Sequence, residues 1–66
     1  MVLLTRRERE ILRLVVDGCT NRQISQRLGT RPLTVKNQIA ALLEKVQLRN
    51  RLQLAVWAVR QGVLDG

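Results

Sequence analysis

Apolar residues recur at helical spacing along the whole chain, and no stretch alternates with the period of a strand. Four segments separate. The first covers 6–17. Ile11, Leu14 and Val15 share a face, with Leu12 beside them. Thr5 precedes it and Glu8 sits at the third helical position, the spacing of a capping box. Gly18 supplies a left-handed exit. The second segment, 21–28, repeats the device with Thr20 and Gln23. Cys19 faces Ile24 across the helix start, Ile24 and Leu28 turn inward, and Gly29 ends it. Thr30 and Arg31 make a tight turn. Pro32 then opens the third segment, 32–46, at a first helical position where its missing donor is no loss. Its apolar line is Val35, Ile39, Leu42, Leu43 and Val46. The fourth, 51–61, is capped by Asn50, has Gln53 in the capping-box position and stops at Gly62. The expected fold is all-α: one domain over 1–66, a compact four-helix bundle.

Two features of this pattern point past folding. A two-turn helix, a glycine turn and a longer helix make a helix-turn-helix, here at about 20–40. The fourth helix, with its caps about 50–62, carries two apolar stripes. Leu54, Ala55 and Ala58 form one; Leu52, Val56, Val59 and Val63 form the other. A small monomer needs only one, so the second reads as a partner surface.

Charge sharpens the picture. Twelve Lys and Arg against five Asp and Glu give 66 residues a net charge of +7, more than solubility requires. A polyanion is the expected partner, nucleic acid first among them. Anionic lipid would need a basic helix face opposite bulky aromatics, and Trp57 is the sole aromatic. No apolar run is long enough for a membrane span. The lone Cys19 cannot form an internal disulfide and reads as a small buried residue in a reducing cytoplasm. Trp57, between the two stripes, reads as packing rather than a stacking platform. There is no histidine, no nucleophile with a base and no carboxylate cluster, so neither enzyme chemistry, metal nor cofactor is expected.

In a helix-turn-helix the second helix of the motif reads DNA. With Val35, Ile39, Leu42 and Val46 anchored in the core, the opposite side presents Leu33, Lys36, Asn37, Ala40 and Ala41. The alanines let that side sit deep in a groove. Lys36 can donate to guanine O6 or N7, Asn37 can pair with adenine, and Ala40 or Ala41 can touch a thymine methyl. Thr34, Gln38 and Lys45 flank that face, where phosphates run. Thr20, a helix cap in any reading, also aims backbone amides where a phosphate could sit. Arg31 is a poor cap whose charge opposes the helix dipole; beside a phosphate that disadvantage becomes a gain.

Leu4-Thr5-Arg6-Arg7-Glu8-Arg9-Glu10-Ile11-Leu12 resembles the opening of the LuxR-type (NarL- or GerE-type) DNA-binding domain. Gly18-Cys19-Thr20-Asn21-Arg22-Gln23-Ile24, Thr34-Val35-Lys36 and Asn50-Arg51 followed by Gln53 resemble its later motifs, in the same order. The resemblance runs from about Leu4 to Leu64. It implies a four-helix bacterial transcription regulator. It implies base contacts from Lys36, Asn37 and Ala40, and phosphate contacts around Thr20, Asn21, Arg22, Thr34 and Lys45. It also implies a homodimer on inverted half-sites through the last helix, with Leu52, Val56 and Val59 outward, and RNA polymerase as a further partner. Relatives usually carry an N-terminal regulatory domain, which the resemblance implies for the full-length protein. The Arg60-Gln61-Gly62-Val63-Leu64 ending is closer to response regulators of two-component systems than to acyl-homoserine-lactone receptors.

The chain departs from the family in four places. Arg31 stands for Ser or Thr, Gln38 for His, Gln47 for Gly, and Ala40 for a residue that is often basic. Two other readings fit the charge and helices. One is the promoter-reading domain of a sigma factor, which would act as a monomer with RNA polymerase. The other is a protein-interaction module for an acidic partner.

Overall fold

The structure, a computed structural model, describes residues 2–63. Leu64 of the closing motif lies outside the described residues. The described residues form four helices and no strand: α1 (Arg6–Val16), α2 (Asn21–Leu28), α3 (Pro32–Lys45) and α4 (Arg51–Arg60).

Local chemistry starts the helices. At α1, Thr5 Oγ1 accepts from the Glu8 amide at 3.1 Å, and Glu8 Oε1 accepts from the Thr5 amide at 2.8 Å. Thr20 and Gln23 repeat both bonds at α2, at 3.1 and 2.8 Å. Two orphan amides are thereby satisfied at each start. At α4 the expectation holds by half. Asn50 Oδ1 accepts from the Gln53 amide at 2.9 Å, but Gln53 Oε1 takes the amide of Arg49 at 2.8 Å, one residue earlier than a capping box requires. Arg31 caps α3 with no side-chain bond.

Three helices end one residue earlier than their apolar patterns suggest. Asp17, Val46 and Gln61 are cap residues. Each end is closed by backbone bonds that a hydrophobic count cannot register. After α1, the Gly18 amide donates to the Val15 carbonyl and Cys19 to Leu14, both at 3.0 Å, with Gly18 at φ +83°. This paired arrangement uses carbonyls left over by the helix. After α3 the same pair forms, Gln47 to Glu44 at 3.2 Å and Leu48 to Leu43 at 2.8 Å, but Gln47 occupies the left-handed position at φ +59°. A Cβ is strained there. Gln47→Gly is expected to raise stability by about 1 kcal/mol, less the entropy glycine returns to the unfolded chain. Thermal unfolding should show a midpoint several degrees higher, on a scale of roughly 4–8 °C per kcal/mol for a small domain. An unchanged midpoint would mean that the strain at Gln47 is no larger than that entropy.

The core joins all four helices: Ile11, Leu12, Leu14 and Val15 from α1, Ile24 from α2, Val35, Ile39 and Leu42 from α3, Leu54 and Ala58 from α4. Helix α1 packs chiefly on α4, and α2 on α3. The α2–turn–α3 pair is the helix-turn-helix, and α1 with α4 forms the platform beneath it. Ser25 is buried yet satisfied, its hydroxyl donating to the Arg22 carbonyl at 2.7 Å. Val63 is a correction: it packs half-buried against the core instead of extending the outward stripe of α4. Gly62, at φ +68°, turns the chain before Val63 and so takes it off the helical wheel.

Candidate nucleic-acid interface

The exposed side of α3 follows from its buried side. Val35, Ile39 and Leu42 occupy one sector. At about 100° per residue, Leu33 and Asn37 fall nearest the opposite direction, with Lys36 and Ala40 to one side and Thr34 and Ala41 to the other. All six are exposed. The face is narrow, because Ala40 and Ala41 carry no side chain beyond Cβ. Glu44 stands on the same line three turns from Leu33 and is also exposed. Charge along α3 is uneven: Arg31 and Lys36 stand near its start, while at its end Glu44 adjoins Lys45, whose ammonium is paired with Glu8. The first turn contains no acid and adds its own unpaired amides. An anion is drawn more strongly to the N-terminal half of this helix than to its last turn, where Glu44 offsets Lys45.

The start of α2 adds a second group of donors. Thr20 Oγ1 is engaged as acceptor by the Gln23 amide, which leaves its hydroxyl hydrogen to donate outward. Arg22 is exposed. Asn21 is half-buried, and its Oδ1 accepts from Arg51 Nη1 while Arg51 Nη2 donates to the Cys19 carbonyl. The Asn21 amide nitrogen keeps its donors. Between Asp17 and Glu44 the sequence holds Arg22, Arg27, Arg31 and Lys36 and no acidic residue. The helix-turn-helix thus lies within the longest acid-free stretch of the chain.

Two expected backbone contacts have neighbours of their own. Lys45 Nζ lies 2.9 Å from Glu8 Oε1, the oxygen that also caps α1, and so pins the end of α3 to the start of α1. Glu8 is held below the usual carboxylate range, chiefly by the Thr5 amide, with Lys45 adding to that against the opposing effect of burial. Gln38 is half-buried, and its Oε1 is enclosed with no donor to it; its amide nitrogen is the end left for an outside acceptor. Among the described residues no group of three or more His, Cys, Asp or Glu could hold a metal, and no helix is long and apolar enough to cross a membrane.

Helix α4 carries a different surface. On α4, Leu52 is 74% exposed, Val59 57% and Val56 43%, while Leu54 and Ala58 on the other side are fully buried. Trp57 is half-buried and, with Leu48, Leu52 and Val56, lines an open hollow of about 490 Å³. Three branched aliphatics at one-turn spacing face solvent without a partner.

Three residues of this region have surroundings or roles that motif spacing does not give. Arg51 lies thirty positions from Asn21, so its role is visible only in three dimensions. Glu44 could have been found by extending the helical wheel past Ala41. Leu33 is on that wheel but offers no hydrogen bond.

Residues 2–58 match the family model described as bacterial regulatory proteins, luxR family. Relatives include the transcriptional regulatory protein DegU of Brevibacillus brevis, 40% identical over 91% of this chain and 25% of that protein. The nitrate/nitrite response regulator protein NarL of Escherichia coli strain K12 is 38% identical over 91% of this chain and 28% of its own length. The transcriptional regulatory protein DesR of Bacillus subtilis is 39% identical over 89% and 30%. The chain thus spans between a quarter and a third of the length of these relatives.

Proposed function

The chain belongs to the luxR family of bacterial regulatory proteins, and from that premise we propose that it binds double-stranded DNA sequence-specifically to regulate transcription, with α3 in the major groove. The observation that carries this reading is the exposed face of α3, small and polar, set within an acid-free basic stretch. Lys36, Asn37, Ala40 and Ala41 read base edges. Thr20, Asn21, Arg22, Arg31, Thr34, Gln38 and Lys45 meet the backbone and set the register. Residues 20–40 act as the helix-turn-helix, within one domain over 1–66.

Two copies bind inverted half-sites through α4 and its caps, about 50–62, with Leu52, Val56 and Val59 in the contact. The exposure of these three supports the assignment, as does the burial of Leu54 and Ala58 on the opposite stripe, where Ala55 is half-buried. The exposed apolar stripe supports this reading over a monomeric sigma-factor domain, and the family match favours regulation over a module for an acidic protein. A family of regulatory proteins, with no constellation of catalytic groups here, supports a binding role and not an enzymatic one. NarL's description as a response regulator supports placing this chain as the DNA-reading part of such a two-component protein. A regulatory domain elsewhere in the full-length protein and RNA polymerase at the promoter are its further partners, in the cytoplasm.

Selection of binding sites from a random duplex pool tests the core of this reading. The expected product is a two-fold symmetric site with half-sites one helical turn or a simple multiple apart. A pool that stays random at low salt would overturn it.

A further inference from the structure

Leu33 is 66% exposed on a helix whose other outward residues are polar or small. It contributes nothing to the core. The sequence places it directly after Pro32, at the second position of α3, and that position fixes its surroundings. Lys36 and Asn37 follow one turn on, at the spacings that bring side chains together on a helix surface. Helical side chains lean toward the helix N-terminus, so Leu33 projects ahead of Lys36 at the leading end of the face. The charge gradient along α3 says which end leads. Arg31, Lys36 and the free first-turn amides draw the N-terminal half toward an anion, while at the other end Lys45 is paired with Glu8 and adjoins Glu44, so the pull there is weaker.

We propose that Leu33 is a specificity-determining residue that reads the C5-methyl group of a thymine, one or two base steps from the base contacted by Lys36. The inference rests on the DNA-binding reading above and deepens it. In the major groove the thymine methyl is the one apolar feature a base pair presents. A leucine carried into a groove otherwise lined by donors and acceptors finds its favourable contact there. Elsewhere in the groove it would cover polar base edges without satisfying them. Ala40 and Ala41, lacking reach, contact a methyl only where the helix lies closest to the bases. Leu33 extends the readable site beyond that point, at the end of the helix where neither alanine stands.

Thymine-by-thymine replacement with deoxyuridine tests this, because it deletes the methyl and leaves base pairing unchanged. The duplex is the site selected from random sequence. The proteins are the intact chain and its Leu33→Ala variant, with circular dichroism confirming that the variant is folded. The expected result is one thymine per half-site whose replacement weakens the intact protein about fourfold, the worth of one buried methyl, and leaves Leu33→Ala unaffected. Cytosine at that position should bind poorly and 5-methylcytosine should recover part of the loss. Thymines read by Ala40 or Ala41 would show equal losses in both proteins. The proposal is overturned if no thymine distinguishes the two proteins while both still bind the selected site. If the intact protein selects no site at all, the DNA-binding reading fails and this inference with it.

Discussion

Lys36→Ala should leave the domain folded and remove most of its preference for its own site. Lys36 is exposed on α3 and no core contact depends on it, so melting should be unchanged. A well-made contact to guanine O6 and N7 supplies roughly 1–3 kcal/mol of discrimination against other bases. The ratio of cognate to random-duplex affinity should therefore fall by about 5- to 150-fold, the same energy expressed as an equilibrium ratio. Titration of both duplexes at one salt concentration measures it, since affinity without the salt is uninterpretable. The random duplex should lose only what one cation contributes nonspecifically. Equal losses on the two duplexes would make Lys36 a phosphate contact and shift the reading of bases to Asn37 and its neighbours.

The second large effect lies on α4. Val56→Asp should abolish cooperative binding to a two-half-site duplex while sparing a single half-site. In a two-fold contact each subunit offers the same patch, so one substitution introduces two carboxylates into one apolar seam. Desolvating an unpaired charge there is expected to weaken pairing by at least about 2 kcal/mol, roughly thirtyfold. Val56 is 43% exposed in the free chain, and its aspartate would sit in water, so the monomer should keep its fold. Band-shift titrations with one and two half-sites separate the outcomes. Undiminished cooperativity would show that the stripe Leu52, Val56 and Val59 serves something other than a second copy.

What could be read from the sequence was mostly what is local. The Thr5 and Thr20 caps act over three residues and are written in the spacing of the side chains. The buried face of α3 follows from period alone. The helices end a residue before the apolar pattern does, at Asp17, Val46 and Gln61, because backbone bonds close them and those bonds are indifferent to hydrophobicity. Val63 leaves the outward stripe because a wheel assumes a helix that Gly62 interrupts. Gln53 reached past Asn50 to the Arg49 amide, a choice between two nearby donors that spacing does not rank. Of the site, the exposure of Lys36, Asn37, Ala40 and Ala41 was legible. The pairing of Lys45 with Glu8 was not, since it joins residues thirty-seven apart.

The guanidinium of Arg51 grips Asn21 and the Cys19 carbonyl, and so it fastens the helix proposed for pairing to the threshold of the helix-turn-helix. Distance between two DNA-reading surfaces would then be set inside the protein, with no hinge to absorb an error. Such a dimer is a gauge of fixed length. One base pair added between half-sites rotates the second by about 34° around the duplex axis, and a clamped pair of domains cannot follow. The spacer of the site should therefore be as strictly specified as its letters, even though no side chain touches it.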